Sequence, residues 1–160
     1  AKVPFMRSKE NSDDHATLAD VVEEVKKVYE DKEENFDHIC CILPTTPLLT
    51  VSILEEGFTL LTENDVDSVR PVARFSYPIQ RAVKMNEGLI EMFQPEHSKT
   101  RSQDLEPAFH DAGQFYWMKF NEGLKGERKL GFEIPEKFVQ DIDIEDDWKL
   151  AEFKYKYINQ

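Results

Sequence analysis

The run Ile39-Cys40-Cys41-Ile42-Leu43, five apolar residues in succession behind a charged turn, constrains this chain more than any other feature. It shows no alternation of apolar and polar positions, so it predicts a strand over 36–43 covered on both faces, as in a parallel sheet. Parallel strands need long crossovers, usually helical, and the flanking sequence supplies helices. From Ser12 or Thr17 to about Glu30, Leu18, Val21, Val22, Val25 and Val28 fall on one helical face. After the proline-broken stretch Pro44-Thr45-Thr46-Pro47-Leu48-Leu49, Thr50 caps a second helix through Ile53, Leu54, Phe58 and Leu61. Val66 to Phe75 reads as a strand in which Pro71 marks an edge or a bend. The stretch from Tyr77 to Glu106 is irregular and polar, with a hairpin at Asn86-Glu87-Gly88, and reads as an insertion at about 76–107 that leaves the main sheet. An aromatic strand follows from Phe109 to Phe120, and a last helix from about Ile144 to Tyr157, opened by Asp143. Ala1 to Phe5 reads like a strand entered midway. The expectation is an α/β fold with an open, mostly parallel sheet. Ligands then collect beyond the carboxyl ends of the strands, at the loops after Leu43 and after Gln140.

With 160 residues, 40% of them hydrophobic, the chain is sized for a single domain, 1–160. Its 20 Lys and Arg face 32 Asp and Glu, a net charge of −12 spread along the sequence, and basic residues never run beyond a pair such as Lys26-Lys27. That argues against nucleic acid as a partner. A phosphate ligand would need a metal or a few placed cations. Cys40 and Cys41 are adjacent and point to opposite faces of a strand, which disfavours a disulfide. Without a secretory signal or an apolar stretch of membrane-spanning length, the chain reads as cytoplasmic, with no membrane partner.

Three constellations can carry chemistry. Asp141-Ile142-Asp143 places two carboxylates one residue apart, able to hold Mg²⁺ while substrate phosphates complete its shell. The alternative is a helix cap by Asp143 and a solvated Asp141. Thr100-Arg101-Ser102-Gln103-Asp104 brings a guanidinium and an amide together, for a carboxylate, phosphate or polar substrate, or else as a surface ion pair of Arg101 with Asp104. In His110-Asp111-Ala112-Gly113-Gln114-Phe115-Tyr116-Trp117, Gly113 permits close backbone approach, and one of the aromatics could line a sugar while the others pack the core. Arg7 could read a base or a phosphate, or stay solvated. The four histidines lack zinc spacing, and no nucleophile motif occurs. The first fifty-six residues contain no glycine, so nothing there can form a backbone cradle for a triphosphate.

The order of these pieces is more specific than any one of them: Val3-Pro4-Phe5 then Arg7, Leu43-Pro44-Thr45-Thr46-Pro47-Leu48, Thr100-Arg101-Ser102-Gln103-Asp104-Leu105, Asp111 to Trp117, and Asp141-Ile142-Asp143 before Glu145-Asp146-Asp147-Trp148. In this order the chain resembles the acylneuraminate cytidylyltransferase family over essentially its whole length. Its aromatic strand is most similar to the pseudaminic acid branch. The resemblance implies a Rossmann-like nucleotidyltransferase fold, a homodimer built through the insertion, and Mg²⁺-dependent transfer of CMP from CTP to the anomeric hydroxyl of a nonulosonic acid. By motif, Asp141 and Asp143 would hold the metal and Arg101 would join them in catalysis. Arg7 and the backbone at Ala16 would take the cytosine, and Leu43, Gln103 and Tyr116 would meet the sugar. Leu43 and Leu49 stand where the neuraminate branch carries Gln and Arg, which favours a less hydroxylated sugar with a terminal methyl. The family also opens with a strand and a Gly-, Arg- and Lys-rich triphosphate loop that this sequence does not contain. The expectation is therefore a truncated sheet and a chain inactive alone. Two alternatives stand beside it: a non-catalytic sugar-binding or dimerisation module, and a synthetase for CMP-N-acetylneuraminate or CMP-3-deoxy-manno-octulosonate.

Overall fold

The computed structural model describes residues 3–159. Helix α1 (Leu18–Glu30) starts where the sequence signals it: the Thr17 side chain accepts the Asp20 N–H, and the Asp20 carboxylate accepts the Thr17 N–H in return. Strand β1 (His38–Ile42) follows, then helix α2 (Val51–Glu63), capped by the Thr50 hydroxyl on the Ile53 N–H. Next come β2 (Ser68–Arg74), a hairpin of β3 (Val83–Asn86) and β4 (Leu89–Met92), β5 (Phe109–Asp111), β6 (Phe115–Lys119), β7 (Lys129–Glu133) and helix α3 (Glu145–Ile158). The hairpin turns on Glu87 and Gly88, both at positive φ, as a two-residue primed turn requires. No helix among the described residues is long and apolar enough to cross a membrane.

The sheet corrects the parallel expectation. β1 pairs antiparallel with β6 and has no other partner among the described residues, β6 and β5 pair antiparallel with β2, and β7 alone joins β2 in parallel. β1 thus lies at the sheet's end, and Ile42 is 49% exposed. An unbroken apolar run reports how a strand is covered, not which way its neighbour runs. The sheet is mixed: β1, β2 and β7 point the same way, with β6 reversed between β1 and β2. Val3 and Phe5 form no strand, and Ala1 and Lys2 lie outside the described residues.

Pro71 lies in the central strand β2, fully buried, not at an edge. The neighbouring strand explains why. From Val69 to Val72 β2 advances three residues while its partner runs six, from Trp117 back to Asp111. The extra residues Ala112, Gly113 and Gln114 form a bulge, and the Pro71 carbonyl, accepting from the Ala112 N–H, faces it. The donor that proline lacks would point at the place where the ladder is already broken.

Helix α2 covers one face of this sheet. Ile53 and Leu61 pack with Val69, Ala73, Phe115 and Phe132, and with Ile134 and Val139 from the segment after β7. Gly57 lets the helix approach so closely that a Cβ there would sit 2.9 Å from the Phe115 ring, while Trp117 Nε1 donates to the Leu54 carbonyl at 3.0 Å.

Candidate functional site

Because β1, β2 and β7 share a direction, the loops after Ile42, Arg74 and Glu133 leave the sheet at one end. The loop entering β5 joins them, through Phe75 N–H to the Ala108 carbonyl. Leu43 continues the β1 ladder by one bond, its N–H donating to the Gln114 carbonyl at 2.9 Å, and Thr46 turns back to the Leu43 carbonyl. Thr45 then reaches across to Asp141, Oγ1 to Oδ1 at 3.4 Å. This bond brings the β1 loop and the acidic segment together.

Asp141 and Asp143 lie on a loop, not at a strand end, because a 3₁₀ turn at Glu136–Phe138 separates them from β7. Ile144 is the N-cap of α3, and Asp147 folds back to accept the N–H groups of Asp143 and Ile144, each at 3.1 Å. The Asp143 carboxylate is thereby free of capping, and has no protein partner among the described residues. Among the described residues the Asp141 carboxylate accepts only from Thr45 and from the Ile142 N–H. Both are exposed. No group of three His, Cys, Asp or Glu gathers anywhere among the described residues. Two hard, solvent-facing carboxylates suit Mg²⁺, which keeps waters and takes its remaining oxygens from substrate phosphates. The residues present fit that ion.

Tyr116 sits across from Cys41 on β1. The Arg70 guanidinium stacks over its ring at 4.7 Å and pairs with Asp111 at 3.1 Å, and Asp111 also accepts the Gly113 N–H at 2.9 Å. Burial, and then the Asp111 charge, pushes the Tyr116 phenol up to about 12. Arg70 was absent from the sequence reading. A lone arginine inside the apolar run of a strand was the signal that could have found it. Burial also raises both thiols, Cys40 to about 12, which disfavours the thiolate form.

The remaining residues are not gathered with these. Arg101, 71% exposed, makes a two-pronged ion pair with Asp104 at 2.7 and 3.1 Å. Gln103 lines a separate cleft of about 470 Å³ with Arg74, Phe75 and Tyr77. Arg7 is exposed, beside Ser8, whose N–H and hydroxyl both bond Glu24. The Ala16 N–H is held by Asp13 Oδ1 at 2.9 Å. A further apolar hollow of about 300 Å³ opens beside the acidic loop, between Pro47, Ile142, Trp148, Ala151 and Tyr155.

No protein-family model matches the chain. It is 37% identical, over 98% of its length, to a pseudaminic acid cytidylyltransferase of Campylobacter jejuni serotype O:2, of which it covers 70%. To the enzyme of the same name from serotype O:23/36 it is 36% identical over the same shares. N-acylneuraminate cytidylyltransferase A of Danio rerio is 29% identical over 91% of the chain and 34% of that protein.

Proposed function

The chain belongs to the pseudaminic acid cytidylyltransferase family, and from that premise we propose that it forms a CMP-sugar from CTP and a nonulosonic acid, pseudaminic acid being the substrate. The anomeric oxygen attacks the α-phosphorus, the bond from that phosphorus to the β-phosphate's bridging oxygen breaks, pyrophosphate leaves, and the hydroxyl proton is lost. The observation that carries this reading is the pair Asp141 and Asp143, two exposed carboxylates of which Asp141 is bonded to the β1 loop through Thr45. They would hold Mg²⁺, which when bound neutralises phosphate charge and orients the reacting oxygens.

The chain's own residues do the rest. Leu43 and Tyr116 give the sugar an apolar wall, and Tyr116 stays a neutral donor throughout the physiological range. Arg101 exchanges Asp104 for an acidic group of the substrate. An exposed ion pair contributes little, so the exchange costs little. Gln103, in its cleft, takes a polar group of the sugar. Arg7 meets the cytosine. Since the Ala16 N–H is engaged, its carbonyl would be the group that accepts the base's amine. On this reading the fold is a Rossmann-like nucleotidyltransferase acting in the cytoplasm. Two copies meet through the hairpin, where Met85, Leu89, Ile90 and Phe93 are exposed.

Replacing Asp141 or Asp143 by Asn tests the reading. In the protein carrying this chain, CMP-sugar formation should fall on the order of 100-fold or more, since even outer-shell partners of a metal are worth 10–100-fold. Unchanged rates in both variants would remove this pair from the reaction, and no CMP-sugar from the unaltered protein would support the non-catalytic module instead.

A further inference from the structure

The acidic segment is held by its carbonyls. Val139 is buried in the core, 7% exposed, and anchors the strand-to-helix connection by its side chain. On either side of that anchor two donors arrive from different elements. Gln114 Nε2, from the bulge before β6, donates to the Phe138 carbonyl at 2.5 Å. Lys154 Nζ, from α3, donates to the next carbonyl, that of Val139, also at 2.5 Å, and stands 3.8 Å from the Glu136 carboxylate. Sheet and helix thus grip successive peptide units immediately ahead of Asp141.

Gln114 makes the grip at a cost. It is 2% exposed, and its Oε1 is buried with no hydrogen-bond partner among the described residues. A buried acceptor left without a donor is unfavourable, and an apolar side chain of the same shape would avoid it. What the amide supplies that an apolar residue cannot is the bond to Phe138. Its own carbonyl meanwhile accepts the Leu43 N–H, so one residue fixes both the β1 loop and the acidic loop that Thr45 joins to it. Lys154 likewise keeps its ammonium in a site where its side chain is 18% exposed.

We infer that Gln114 and Lys154 are positioning residues, a two-sided clamp that sets the Asp141–Asp143 loop against the end of β1. This rests on the proposal that those carboxylates serve the reaction, yet it can be measured apart from it. The test uses Gln114→Met and Lys154→Met, which keep bulk and remove the donor, with Lys154→Arg as the conservative rescue. Amide exchange at Ile142 and Asp143, without nucleotide or metal, should be about tenfold faster in each Met variant, the worth of one net hydrogen bond. The dissociation constant for Mn²⁺, used as the probe ion, should rise by about the same factor, while Lys154→Arg stays near the parent. In turnover the Met variants should need more Mg²⁺ yet approach the parental kcat once it saturates. Unchanged exchange and unchanged Mn²⁺ affinity in both Met variants would overturn the clamp. Should those two readouts move while Asp141→Asn leaves CMP-sugar formation intact, the clamp stands and the catalytic role given to the carboxylates falls.

Discussion

Tyr116 is tied on two sides, its ring under Arg70 and its phenol beside Asp111. Its proton is held more tightly in the folded chain, near 12, than at the ordinary value of 10.0. A group whose folded pKa is raised gives stability that is fully present below the unfolded value and is lost as pH climbs toward the folded one. Urea midpoints should therefore drop between about pH 10 and 12 in the parent, and drop less in Tyr116→Phe. Equal losses in both would show that the phenol is not held this way. Of this cluster the sequence disclosed Tyr116 and Gly113, but not Arg70, whose partners Asp111 and Tyr116 stand on two other strands. Arg101 is the converse case: its pairing with Asp104 is local, three residues apart, and was readable as one of two options.

The caps of α1 and α2, Thr17 as one of two candidates and Thr50, were legible because their signals are local: an apolar stripe and a threonine ahead of it. Thr17→Ala should cost about 1 kcal/mol of stability, read by urea unfolding. At Gly57 two effects oppose. Alanine favours a helix by about 1 kcal/mol, but its methyl would stand 2.9 Å from Phe115 and 3.2 Å from Trp117, and overpacking costs about 1–3 kcal/mol. The clash is with ring atoms of a packed core, so Gly57→Ala should destabilise, and a raised melting temperature would contradict the close approach. The strands were less legible. Five residues with a central glycine, Lys129-Leu130-Gly131-Phe132-Glu133, give β7 no alternation strong enough to read. The direction of β6 relative to β1 depends on partners that are distant in sequence. The start of α3 near Ile144 was legible, but its cap was not: Asp143 and Asp147 are both plausible caps in sequence, and only the chain's path decides that Asp147 folds back.

For the molecule as a whole, what matters is where segments distant in sequence meet. The order of motifs pointed to the family, and the Campylobacter relatives match 98% of the chain. The convergence of three strand ends was foreseeable as a rule about α/β sheets. Its realisation here, with an antiparallel strand between two of them, was not. The exposed apolar hairpin predicts self-association: Leu89→Glu or Ile90→Glu should turn a dimer into monomers in sedimentation experiments while leaving the far-UV spectrum unchanged. A dimer that survives both changes would place the interface elsewhere.

The central claim is the reaction and its sugar, and the most direct measurement is CMP-sugar formation from CTP and Mg²⁺ by the protein that carries this chain, with pseudaminic acid, N-acetylneuraminic acid and 3-deoxy-manno-octulosonic acid compared side by side. The account predicts pyrophosphate release in step with CMP-pseudaminic acid, at a kcat/KM well above that for the other two sugars, because on the proposed reading Leu43 would meet the sugar with apolar surface where a hydroxylated chain needs polar partners. Equal or greater efficiency with N-acetylneuraminic acid, or no product with any of the three, would contradict it.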